Sequence, residues 1–119
     1  MLWLARHWRE NSVKFRVMTP ANEEFVSSAQ WFESKSTGLG IEFIDLVEEK
    51  YACIRNDPQM FPLWEMNDTD AEIRRVLLPR FQYVIYYQIT HDQRIFVLSI
   101  CHGSRDSSSW IDRVVKTSL

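Results

Sequence analysis

Hydrophobic and polar positions repeat with two different periods along this chain, and the changes of period divide it into elements. Val13 to Met18 (VKFRVM) alternates residue by residue, with Val13, Phe15 and Val17 on one face, as in a half-buried strand. From Thr19 the period lengthens to that of a helix. Ala21, Phe25, Ser28, Ala29 and Phe32 share one face, with Trp31 flanking it. Thr19 suits the cap, Pro20 the first helical position, and Glu23 and Glu24 the positive end of the helix dipole. The pattern stops near Lys35 or Ser36, where Thr37-Gly38-Leu39-Gly40 predicts a tight reversal. A second helix follows to about Asn56. Its inward residues are Leu39, Phe43, Leu46, Val47 and Ile54, and Asp57-Pro58 ends it. So short a link makes the two helices an antiparallel hairpin. Lys50 falls on the apolar stripe and is expected to snorkel from its edge.

Residues 57–72 form a connection rich in Pro and acid, anchored by Met60, Phe61, Leu63 and Trp64. Three strand-like runs follow: Ile73 to Leu78, Tyr83 to Thr90, and Arg94 to His102. Pro79-Arg80-Phe81-Gln82 and His91-Asp92-Gln93 are short links, so these runs predict an antiparallel meander. After Gly103, a Ser among Ser107-Ser108-Ser109 is placed to cap a short terminal helix through about Val115. The order β-α-α-β-β-β places a helix hairpin on one face of an antiparallel sheet, an α+β layering with the other face partly open.

Size and composition narrow the classes. With 119 residues and 45% hydrophobic content the chain suits one compact domain, 13–119, preceded by an extension at 1–12. Trp3, Leu4 and Trp8 give that extension two readings: an extra helix packing its tryptophans on the domain, or an artefact of start-site assignment if translation begins at Val13. No apolar run approaches the roughly 20 residues needed to span a bilayer. Arg6, His7 and Arg9 break any signal-like core, so a cytoplasmic protein with no membrane partner is expected. Cys53 and Cys101 lie in apolar surroundings and are expected to be small buried residues. No Cys and His spacing resembles a metal site, and no cofactor is implied. Cys101 and His102 are strand neighbours pointing to opposite faces, so they cannot chelate one ion together.

Charge is unevenly spread. Residues 1–72 carry seven Lys and Arg against thirteen Asp and Glu, a balance of −6, while 73–119 carry seven against three, +4. Solvated helix faces account for the acid. The basic surplus on the sheet half suits an acidic protein segment or nucleic acid.

Several blocks, taken in order, carry a family resemblance. They are Trp31-Phe32-Glu33, Gly38-Leu39-Gly40 with Phe43, Asn56-Asp57-Pro58, and Phe61-Pro62. They continue through Ile73-Arg74-Arg75, Leu77-Leu78, Arg80-Phe81, Tyr83 and Tyr86-Tyr87 to His102-Gly103-Ser104-Arg105-Asp106 with Trp110. From roughly Val13 to Arg113 the chain resembles the RelE/ParE toxin superfamily. The resemblance implies a toxin of a type II toxin–antitoxin module, which inhibits growth until a cognate antitoxin binds it. RelE-like members cut mRNA on the ribosome, and ParE-like members inhibit DNA gyrase. The His-Gly-x-Arg-Asp pattern and long helix hairpin look closer to the ParE-like side. Gln82 departs from the family pattern, which has Pro before the tyrosine, and the extension before Val13 is additional.

Chemistry and binding make different demands on these residues. Cleavage of RNA through its own 2′-OH needs a proton acceptor, a donor to the leaving oxygen and cations for the phosphorane charge. His102, Arg105, Tyr87 and Arg80 are the candidates, and imidazole's ordinary pKa of about 6.5 suits the acceptor role. Arg74, Arg75, Arg80, Arg94 and Arg105 are the candidates for partner binding, with Arg74 and Arg75 on opposite strand faces. Asp106 reads as a local ion pair or a cap. A ribosome-docking nuclease neutralises many phosphates, and a pI near 5.9 does not fit that task. The balance favours a protein target, with a ribosome-dependent nuclease or a non-toxic relative that binds only antitoxin as the alternatives.

Overall fold

The computed structural model describes residues 14–116, so both readings of the extension and the assignment of Val13 to a strand lie outside the described residues. Strand β1 (Phe15–Val17) buries Phe15 and Val17 and turns Arg16 to solvent, as its alternation requires. Met18 N–H donates to the Val97 carbonyl (3.1 Å), and the chain then enters helix α1 (Thr19–Lys35). Thr19 lies inside the helix rather than capping it. Met18 holds the cap position with no side-chain bond, and Pro20 contributes an absent N–H where helices leave theirs unpaired anyway. Ala21, Phe25, Ala29 and Phe32 are buried, and Ser28 is half-buried.

The reversal into helix α2 (Leu39–Asn56) is closed by a carboxylate. Glu33 accepts from Gly38 N–H (2.9 Å) and Gly40 N–H (3.0 Å), so the end of one helix caps the start of the next. Gly38 takes φ +89°, which favours glycine. Phe43, Val47, Tyr51 and Ile54 are buried on α2, while Leu39 and Leu46 sit at the margin. The inward-facing residues read from the sequence omitted Tyr51, which is fully buried against Phe15 and Phe25.

The two helices cover one face of a four-stranded sheet of order β1-β4-β3-β2, an α+β arrangement. Strands β2 (Glu72–Leu78), β3 (Tyr83–Ile89) and β4 (Ile95–His102) form the expected antiparallel meander. The sheet as a whole is mixed, because β1 enters alongside β4 in the same direction and pairs with it in parallel. A bulge at Leu98 leaves Tyr86 opposite Ser99 and Tyr87 opposite Val97, which resets the inward phase of β4.

The second face of the sheet is also covered. Trp64, Ile73, Val84, Tyr86, Leu98, Cys101 and Trp110 form a separate core there, with Trp110 stacked on Tyr86 at 4.3 Å. Both faces being buried, β4 has no need of polar alternation and reads IFVLSIC. The expected terminal helix is instead two 3-10 turns, Ser107–Ser109 and Ile111–Arg113. Trp110 breaks the run at φ −138° to reach Tyr86, and the cap is Asp106, whose carboxylate accepts from Ser108 N–H (2.9 Å). Cys101 is buried and Cys53 only half-buried; both are free thiols. Among the described residues, no helix is long and apolar enough to cross a membrane.

Candidate functional site

Strand β1 stops at Val17 while β4 continues to His102, so the last residues of β4 have no strand neighbour on that side. Helix α1 fills the gap with a carboxylate. Glu24 Oε1 accepts from Ser99 Oγ (2.8 Å) and from Ile100 N–H (3.1 Å), satisfying a strand-edge donor that would otherwise face solvent. Glu24 Oε2 receives two guanidinium groups, Arg105 at 2.9 Å and Arg113 at 3.0 Å. Arg113 also donates to the Leu98 carbonyl (2.9 Å), so it ties the last 3-10 turn to the bulged residue of β4.

Above this cluster lies an open cleft of about 520 Å³ between α1 and the end of β4. Ser28, Tyr83, His102, Arg105 and Arg113 line it, with Ser28 Oγ bonded to Tyr83 Oη (3.0 Å). Charge here is divided by burial. Glu24 and Arg113 are 14% and 17% exposed and balance each other, whereas Arg105 is 45% exposed and presents the rest of its guanidinium to the cleft.

His102 is anchored by its neighbours. Gly103 N–H donates to the Gln82 carbonyl (2.8 Å), and Gln82 has φ +57°. A proline ring cannot take that angle. Gln82 therefore sits where this turn excludes Pro. Within the loop, Ser104 N–H donates to His102 Nδ1 (3.1 Å), and Ser104 Oγ lies 2.7 Å from the same atom. A backbone N–H only donates, so Nδ1 accepts and the neutral ring carries its proton on Nε2. The free lone pair a general base needs is already engaged.

The other candidates are spread over the molecule. Tyr87 is fully buried on the helix face and donates to the Pro58 carbonyl (2.5 Å). Burial, only partly offset by Arg74, pushes its phenol well above the ordinary range. Arg80 pairs with Glu42 on α2 and lies over the Phe81 ring. Arg74 is a strut, bonded to Glu72 (2.8 Å) and to the Phe61 carbonyl (2.6 Å). Arg75 stands on the opposite face from Arg74, across from Tyr86. Arg94 pairs with Asp92 (2.9 Å) at the start of β4, about 25 Å from the Arg105 end at a strand's ordinary rise. The cleft thus joins His102 with Arg105 and excludes Tyr87, Arg74, Arg75, Arg80 and Arg94 from its lining.

Sequence reasoning passed over Glu24 and Arg113. Glu24 was legible only as a first-turn helix acid, and its partners lie 75 and more residues away. Among the described residues, no three His, Cys, Asp or Glu side chains are arranged to hold a metal ion. No family model matches the chain, and no curated protein sequence matches it.

Proposed function

We propose that this chain is the toxin of a type II toxin–antitoxin module, closer to the ParE-like than to the RelE-like side. In this reading it works in the cytoplasm, arrests growth by binding a protein target such as DNA gyrase, and is neutralised by a cognate antitoxin. The support for the family is the ordered set of sequence blocks from Trp31 to Trp110 together with the β-α-α-β-β-β order. Binding is favoured over catalysis by one observation. The groups an RNA-cleaving centre would need do not all meet: His102 shares the cleft with Arg105, but its Nδ1 is engaged by Ser104, Tyr87 is buried and Arg80 is paired on α2. In the cleft, the exposed guanidinium of Arg105 and the Nε2–H of His102 offer donors to a carboxylate on a partner.

The RelE-like alternative, a ribosome-dependent mRNA endonuclease, draws on His102 and Arg105 sharing one open cleft. A non-toxic relative that only binds antitoxin is the third reading. Induced expression with and without the cognate antitoxin separates the last from the others, and normal growth on expression alone would sink both toxic readings. Purified chain should then inhibit gyrase supercoiling, with Arg105→Glu weakening that inhibition at least about tenfold. Cleavage of mRNA only when ribosomes are present, lost in His102→Ala, would replace this reading with the nuclease.

A further inference from the structure

Six arginines follow Ile73 in the chain, and five of them hold a carboxylate: Arg74, Arg80, Arg94, Arg105 and Arg113. Arg75 is the exception. Among the described residues its guanidinium makes no ion pair and no hydrogen bond, and its Nε is buried without an acceptor. The side chain is half-buried on the sheet face away from the helices, opposite Tyr86. Its Nη atoms are not among the buried ones, so the charge reaches the surface unpaired and is open to an acid from outside the chain.

The same strand has an open edge next to it. The segment around Leu63 lies against the first part of β2, where Trp64 N–H donates to the Ile73 carbonyl (2.8 Å) and Arg75 N–H to the Pro62 carbonyl (3.1 Å). Backbone groups alternate sides along a strand, so these bonds fix Ile73, Arg75 and then Leu77 as the residues facing outward. Past Arg75 the covering segment is gone. The Leu77 N–H and carbonyl face outward with no protein partner among the described residues, and the Leu77 side chain is 54% exposed. Being two positions apart, Arg75 and Leu77 project from the same face.

We propose that the Leu77 edge of β2 docks an extended segment of a partner protein carrying an acidic residue two positions from an apolar one. One rung of ladder forms at Leu77, and the acidic side chain reaches diagonally to Arg75 while the apolar one covers Leu77. The rung is short because Pro79, which lacks an N–H, soon follows. Side chains therefore set the specificity. The inference stands apart from the toxin reading, since it uses none of the residues of the cleft.

Panning random displayed peptides against the full chain tests it without knowledge of the natural partner. Wild type should enrich peptides with an acid-x-apolar pattern. Arg75→Glu should bind those peptides at least about tenfold more weakly, and should itself enrich a basic residue at the acidic position. That exchange of preference is not a consequence of misfolding. Leu77→Pro, which removes the outward N–H and the exposed leucyl side chain together, should weaken the same peptides. Absence of the pattern from the wild-type selection, or equal binding of the selected peptides to Arg75→Glu, would overturn the proposal.

Discussion

Tyr87 illustrates how far a side chain's surroundings decide what it can do. In sequence it stands among strand aromatics as a candidate proton donor. Its hydroxyl instead closes onto the Pro58 carbonyl, tying the start of the α2-to-β2 connection to the middle of the sheet. Tyr87→Phe should cost about 1 kcal/mol of stability through that lost bond. It should also change the response to alkali. Burial raises the folded phenol above its ordinary value of about 10, so below that pH both folded and unfolded chains hold the proton and the contribution is intact. Above it the unfolded chain ionises first, and stability falls until the folded phenol ionises. Urea unfolding from about pH 9 upward should therefore fall less steeply in Tyr87→Phe than in wild type. A parallel fall in both proteins would contradict this account.

Among the elements, the helix hairpin was the most legible part of the chain and the covering of the second sheet face the least. The 3.6-residue repeat of Ala21, Phe25, Ala29 and Phe32 states the buried face of α1 directly, and all four are buried. Tyr51 escaped because a tyrosine serves surface and core alike, and Trp110 because its partner Tyr86 is remote in sequence. A local pattern also cannot reveal that β1 pairs in parallel, since nothing near Phe15 refers to Ile95. Of the candidate site, the sequence brought out His102 and Arg105, but not the acid that orders Arg105. The tight crossing of the hairpin was announced by Gly40, and it permits a sharp test. A Cβ at that position would lie 2.6 Å from the Ala29 carbonyl oxygen and 2.9 Å from Glu33 Cβ, so the helices must separate to admit it. Gly40→Ala gains helix propensity in isolation. The displaced backbone should nevertheless leave the protein about 2 kcal/mol less stable in denaturant titration. A more stable variant would show that the crossing is looser than this geometry.

For the molecule as a whole, Glu24 joins what the chain order keeps apart. One carboxylate on the second turn of α1 accepts from the bulged strand at Ser99 and Ile100, from Arg105 beyond the end of β4, and from Arg113 in the last 3-10 turn. It closes the free edge of β4, holds the C-terminal segment in place over the second core, and fixes the arginine that faces the cleft. Removing that charge leaves Arg113, 17% exposed, with a buried guanidinium facing no acid. Glu24→Gln should then destabilise the fold by about 3 kcal/mol. Arg113→Met should cost less, because Glu24 keeps Arg105 and its two donors from β4. When Glu24→Gln and Arg113→Met are combined, no buried guanidinium is left without an acid. The combined loss should therefore be smaller than the sum of the single ones by at least about 1 kcal/mol. Arg105→Met, more exposed and sharing the same oxygen, should couple to Glu24 more weakly. Additive losses for Glu24 and Arg113, or the stronger coupling for Arg105, would mean that the partition of the cluster into a buried structural pair and a surface-facing arginine is incorrect.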